Sequence, residues 1–286
     1  MTFTIDSPSP AVLFPGQGSQ TPEMRDLVAA TPGLLESCVE LVGEDPFARV
    51  EESTRFAQPA IFCASMAAWS RLDVRPRAAA GHSLGELAAL TAAGVFSLDD
   101  ALRLVVVRGR LMAGADDSGS MLALVGGEPA DAAEIAAAAG VTVANDNAPG
   151  QVVLSGDRDR LAQAEEAARE RGIRALALDV AGAFHSPAMA PAVEPFRAAL
   201  DEVQLGEPRF EVFSCATAAP FADVRDELAS ALVRPVRWRE TVLALGEAGV
   251  ESYVDVGPGK VLARLMKRIS AGLKAQSPDF QEAAGV

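Results

Sequence analysis

The chain is poor in histidine, with two in 286 residues, and holds three cysteines. Cys38, Cys63 and Cys215 lie far apart and match no metal-ligand spacing, which excludes a disulfide framework and a cysteine-rich metal module. They read as reduced core residues. Positive charge is also in deficit: 25 basic against 39 acidic residues leave a net charge of -14, which argues against a nucleic-acid or anionic-membrane binder. The first residues, MTFTIDSPSP, offer no positively charged n-region and no long apolar stretch. Neither a secretion signal nor a membrane span is expected, and the protein is expected to be soluble and cytoplasmic. There is no internal repeat and no low-complexity tract. A hydrophobic fraction of 49% nevertheless suffices for a large core, so disorder and fibrous structure are excluded too.

What is present alternates between short apolar runs, glycine turns and helical stretches. AVLF (11–14) runs into PGQGSQ, and RAAAG runs into GHSLG followed by an alanine-rich helix closed at Gly94; each reads as strand, tight turn, helix. From Met121 the order is MLALVG, the helical PADAAEIAAAAG, VTVAN, QVVLSG, the charged helix DRDRLAQAEEAARERG and ALALDV. That is βαββαβ, a ferredoxin-like signature, bounded by GADDSGS and AGAFHSP. The expected architecture is therefore α/β, with residues 119–183 inserted as a small ferredoxin-like subdomain in a large subdomain made of 1–118 and 184–286. After His185 a helix, the strand RFEVFS, two helices around RPVRW, the strand SYVDV and the helix KVLARLMKRI are expected, with a loose tail from about residue 272.

GHSLG has the form G-x-S-x-G, in which glycines let a strand fold sharply into a helix and expose the serine oxygen. Ser83 is either a nucleophile or a helix cap, and the motif alone leaves both open. A serine needs a base within hydrogen-bond reach. His82 adjoins Ser83 and points to the other side of an extended segment, so the candidate base is His185 in AGAFHSP. A tetrahedral intermediate also needs amide donors; Leu84 N–H follows the nucleophile, and FPGQGSQ, with glycines on both sides of Gln17, can bring a second.

FPGQGSQ, GHSLGE, VVRGRLM, NDNAPGQVVLSG, GAFHSP and VDVGPGKVL, in this order and at these spacings, resemble the malonyl-CoA:acyl carrier protein transacylases over about residues 11–270. The resemblance implies a hydrolase-like α/β large subdomain carrying the ferredoxin-like one, with the active site in the cleft between them. It implies Ser83 as nucleophile, His185 as base, and the amides of Gln17 and Leu84 as oxyanion hole. Arg108 falls on the arginine that holds the substrate carboxylate, a task suited to a guanidinium fork. Gln58 and Asn147 match positions near the bound acyl and pantetheine parts, and Phe184 resembles the aromatic that accompanies malonyl specificity. The chain departs from the family where a glutamine normally precedes the N-P-V-x-W-like segment: Ala231 stands there, in ASALVRPVRW. A main-chain carbonyl at that place can still orient His185; Asp179 and Asp255 are the carboxylates that could substitute.

The implied chemistry is ping-pong transfer of malonyl from malonyl-CoA through a serine ester to the phosphopantetheine thiol of an acyl carrier protein, in fatty acid or polyketide synthesis, with no metal and no cofactor. A carrier-to-carrier transferase for larger acyl groups, a serine thioesterase or hydrolase, and a non-catalytic carrier-binding module are the alternatives. Carrier proteins are typically acidic, and Arg234 to Arg268 hold seven basic residues against four acidic, a local +3 that could receive one.

Overall fold

Alternation along the short strands sets the large sheet. Ala11 and Leu13 join one apolar cluster while Val12 and Phe14 join another, and Ala78 and Ala80 divide from Ala79 in the same way. Every residue of both strands is buried, as in a parallel sheet covered by helices on both faces.

The computed structural model describes residues 3–5, 9–115, 118–270 and 274–276. In chain order the strands are β1 (Phe3–Thr4), β2 (Ala11–Phe14), β3 (Leu72–Asp73), β4 (Ala78–Gly81), β5 (Gly119–Val125), β6 (Thr142–Ala148), β7 (Gln151–Asp157), β8 (Arg174–Leu178), β9 (Glu211–Ser214), β10 (Ala219–Pro220), β11 (Ser252–Asp255) and β12 (Lys274–Gln276). The helices are α1 (Met24–Ala29), α2 (Leu34–Val42), α3 (Thr54–Trp69), α4 (Gly85–Ala93), α5 (Leu98–Ala115), α6 (Pro129–Ala139), α7 (Arg158–Glu170), α8 (Ala190–Asp201), α9 (Val224–Ser230), α10 (Trp238–Glu247) and α11 (Val261–Ile269).

The large sheet has the order β10-β9-β4-β2-β11-β12, parallel except for β10. The second sheet is antiparallel, β6-β7-β5-β8, which is the strand order of a ferredoxin-like unit. Leu122, Leu124, Val152 and Leu154 from its strands pack against Ile135 of α6 and Leu161 of α7, a separate apolar cluster with both helices on one face. Asp157 caps α7, its carboxylate accepting from Asp159 N–H at 3.0 Å and Arg160 N–H at 3.3 Å.

The α/β expectation with a ferredoxin-like insertion holds, and each strand and helix read in the insertion is present. The tail expected to be loose from about residue 272 lies mostly outside the described residues, as do parts of MTFTIDSPSP and of the GADDSGS loop. Within that tail, Lys274–Gln276 pairs in parallel with β11. Among the described residues no helix is long and apolar enough to cross a membrane.

Candidate active site

The turn between β4 and α4 is built by two glycines that nothing larger can replace. A Cβ on Gly81 would lie 1.9 Å from the Gly85 carbonyl carbon, and one on Gly85 would lie 2.1 Å from the Phe14 oxygen. Between them Ser83 takes φ +53°, in the left-handed region that a serine adopts only when its surroundings compel it. The strained turn aims the side chain out of the helix start, where its Oγ meets His185 Nε2 at 2.8 Å.

His185 also has positive φ, +56°. Its Nδ1 lies 2.9 Å from the Ala231 oxygen and 3.1 Å from the Arg234 oxygen. Carbonyls only accept, so Nδ1 carries the hydrogen and Nε2 presents a lone pair to the serine. Burial, and then the Arg108 charge, lower the imidazole pKa to about 3, so it is neutral at neutral pH and keeps its Nε2 lone pair free. The orienting group is therefore backbone: Asp179 is exposed on the cleft wall, and Asp255 accepts from Ala263 N–H at 2.9 Å.

Arg108 reaches the same oxygen from α5. Its Nη2 donates to Ser83 Oγ at 3.0 Å and its Nη1 to Gln58 Oε1 at 2.7 Å. It is 4% exposed, and both acceptors are neutral. Burial lowers its pKa to about 10, opposed by the Glu86 charge, so it remains cationic. Glu86 is itself buried, accepts from Cys215 N–H at 2.8 Å, and is raised to about 7 by desolvation. The contacts continue away from the serine: Gln58 Nε2 donates to Thr54 Oγ1 at 3.0 Å, and that hydroxyl donates to Gln17 Oε1 at 2.7 Å. This chain holds the Gln17 loop against α3.

Gln17, Gln58, Ser83, Leu84, Arg108, Phe184 and His185 all line one cleft of about 380 Å³, together with Met121, Asn145 and Leu178 from the ferredoxin-like sheet. Leu84 N–H sits at the start of α4, and neither it nor Gln17 N–H bonds another backbone group among the described residues. Asn147 is placed differently: its Oδ1 lies 2.8 Å from His82 Nε2, and the His82 ring packs against Trp238 at 5.5 Å. The residue that this strand sends to the cleft is Asn145, two positions earlier and not singled out from the sequence. Thr54 and Met112 were likewise missed; both belong to helices, α3 and α5, whose cleft-facing sides only packing reveals. Among the described residues no group of three or more histidine, cysteine, aspartate or glutamate side chains is placed to hold a metal ion.

Residues 23–280 match the acyl transferase domain family. The chain belongs to the malonyl-CoA:acyl carrier protein transacylase family of acyltransferases. It is 36% identical to the malonyl CoA-acyl carrier protein transacylase of Haemophilus influenzae, covering 93% of this chain and 94% of that one. The crystal structure of malonyl-CoA:acyl carrier protein transacylase from Xanthomonas oryzae pv. oryzae superposes with a TM-score of 0.87 at 35% identity, over 93% of each chain. A polyketide biosynthesis protein of Burkholderia thailandensis, ThaF, is 39% identical over 91% of this chain, which spans 24% of that protein's length.

Proposed function

We propose that the protein is a malonyl-CoA:acyl carrier protein S-malonyltransferase. The observation that carries this reading is the double contact on Ser83 Oγ, with a neutral imidazole at 2.8 Å and a buried guanidinium at 3.0 Å. A base alone would suit any serine esterase. A buried cation with only neutral acceptors beside the nucleophile suits an acyl group that brings its own carboxylate.

In the reaction His185 Nε2 takes the Ser83 proton as Oγ attacks the thioester carbonyl of malonyl-CoA. The carbonyl oxygen becomes an oxyanion facing the amides of Gln17 and Leu84. Its collapse breaks the C–S bond, and the departing coenzyme A thiolate takes the proton from His185, leaving a malonyl-serine ester. The phosphopantetheine thiol of an acyl carrier protein then gives its proton to His185 and attacks the ester, and Ser83 recovers the proton as it leaves. Arg108 would exchange Ser83 Oγ for the malonyl carboxylate, with Gln58 holding the fork in place. Phe184 would bound the space beside the acyl carbon. The reaction needs no cofactor. Residues 119–183 would form one wall of the cleft and residues 1–118 with 184–286 the other. A cytoplasmic location fits three unpaired buried cysteines.

Intact-mass measurement tests this directly. Malonyl-CoA should add one malonyl mass to the protein, a holo carrier protein should remove it, and Ser83→Ala should take up none. An unchanged wild-type mass, or an adduct that survives in Ser83→Ala, would overturn the reading. An adduct discharged by water as fast as by carrier would support a thioesterase instead.

A further inference from the structure

The segment from Ala231 to Arg239 contributes no side chain to the serine, yet it touches the site at one end and the ferredoxin-like sheet at the other. The carbonyls of Ala231 and Arg234 hold His185 Nδ1 at 2.9 and 3.1 Å. Two residues further on, Val236 forms a parallel bridge with Asn145 of β6. Val236 N–H donates to the Ala144 oxygen at 2.8 Å, and its own oxygen accepts from Asp146 N–H at 2.9 Å. The Asp146 carboxylate then takes Arg239 with both oxygens: Nε lies 3.1 Å from Oδ1 and 3.0 Å from Oδ2, and Nη2 lies 2.6 Å from Oδ2. The side chains are 16% and 28% exposed, so the fork is shielded as most surface pairs are not. The next residue of β6, Asn147, holds His82 beside the nucleophile.

We propose that Asp146 and Arg239 are positioning residues, clamping β6 to the Ala231–Arg239 segment so that the seating of the ferredoxin-like unit sets the orientation of His185. The inference rests on His185 acting as the base. A hydrogen bond to Nδ1 weakens steeply with misalignment, and a displacement of about 1 Å at a catalytic group can cost about a hundredfold in rate. On its other side the segment is tied to the large sheet, Arg237 N–H donating to the Cys215 oxygen at 2.7 Å. Loosening the β6 side therefore shifts the carbonyls without freeing the segment. The neighbouring Arg237 and Glu240 pair with each other, which leaves Arg239 to Asp146.

The test uses the full chain and the variants Asp146→Asn, Arg239→Gln, the double variant and Asp146→Glu. Single-turnover malonylation should slow about tenfold in each neutral variant, with KM for malonyl-CoA held within about twofold. The double variant should be no slower than the worse single, because one interaction is lost in all three. Asp146→Glu, which keeps the charge, should recover most of the rate. With two histidines in the chain, the imidazole 15N and 1H resonances can be read residue by residue. The Nδ1–H of His185 should exchange faster in Asp146→Asn than in wild type. The proposal is overturned if the rate and the His185 resonances stay at wild-type values, or if melting temperature or KM changes while both remain unmoved. Should wild type fail to take up malonyl, the functional reading falls, and the His185 resonances alone then decide whether the clamp orients the ring.

Discussion

His185 enters the site neutral, and this fixes how activity and stability respond to acid. Its folded pKa of about 3 lies below the ordinary imidazole value of 6.5 because burial disfavours the cation. The native state therefore resists protonation, and its contribution to stability is full above pH 6.5 and is lost as pH falls toward 3. Malonylation of Ser83 should accordingly show no acid limb near pH 6.5, which rapid-quench measurements between pH 8 and 5 would check. Replacing His185 by Ala should slow acylation by about a hundredfold or more. Arg108 makes a separate prediction. In the free protein it leans on Gln58 and Ser83, so a malonyl carboxylate would replace a neutral acceptor with an anion. Acetyl-CoA brings no such group, and wild type should prefer malonyl by about a thousandfold in kcat/KM. Arg108→Ala should compress that ratio to within about tenfold, mainly by losing malonyl transfer; an unchanged ratio would place selectivity elsewhere.

At the scale of elements, the β4–α4 elbow depends on absence of side chain. The Phe14 oxygen and the backbone of Gly85 occupy the space that a methyl group at Gly85 or Gly81 would need. Gly85→Ala should destabilise the fold by about 1–3 kcal/mol and displace Ser83, because the clash is with backbone that cannot rotate away. Thermal melting together with malonylation would show both losses. Gly114 is a suitable control, since nothing lies within 4 Å of a Cβ built there. Part of that crowding is local, Gly81 against Gly85 within GHSLG itself, which is why the motif could be read from the sequence as an elbow, while the clash at Gly85 comes from Phe14 of the neighbouring strand. Asn145 could not be separated from Asn147 in that way. β6 carries register shifts between Val143 and Asn145 and between Asp146 and Ala148, so alternation along the strand does not predict which face each residue takes.

Charge belongs to the whole molecule. Within a chain of net charge -14, Lys260, Arg264, Lys267 and Arg268 are all exposed along α11, while Leu262, Leu265 and Met266 face the core. One end of this stripe adjoins the Gln17 loop: a Cβ on Gly259 would lie 2.8 Å from the Ser19 oxygen. At the other end Arg268 donates to the Pro149 and Gly150 oxygens, near the turn that follows Asn147. The stripe thus runs from beside the Gln17 loop, which lines the cleft, to the Pro149–Gly150 turn. An acidic carrier protein should depend on it through encounter rate and salt sensitivity. With Lys260→Glu and Arg264→Glu combined, KM for the carrier should rise about tenfold at low salt while malonylation by malonyl-CoA stays within about twofold. Equal slowing of both half-reactions would assign the stripe to coenzyme A phosphates.

The sequence by itself determined what depends on neighbours along the chain. The elbow around Ser83, the βαββαβ order and the scarcity of histidine that singled out His185 all follow from local sterics, hydrophobic period and composition. Resemblance to the acyltransferases added the expected role of Arg108, which composition could not distinguish from Arg103 or Arg110. Tertiary structure decided the rest. Burial separates Arg108 from those two and lowers the pKa of His185. Folding also answered the departure at Ala231: the carbonyls of Ala231 and Arg234 hold His185, and a backbone oxygen needs no particular side chain. Which carbonyl points at an imidazole 46 residues away is set by how β6 and the Ala231–Arg239 segment pack, and no local pattern encodes a contact between segments so distant in the chain.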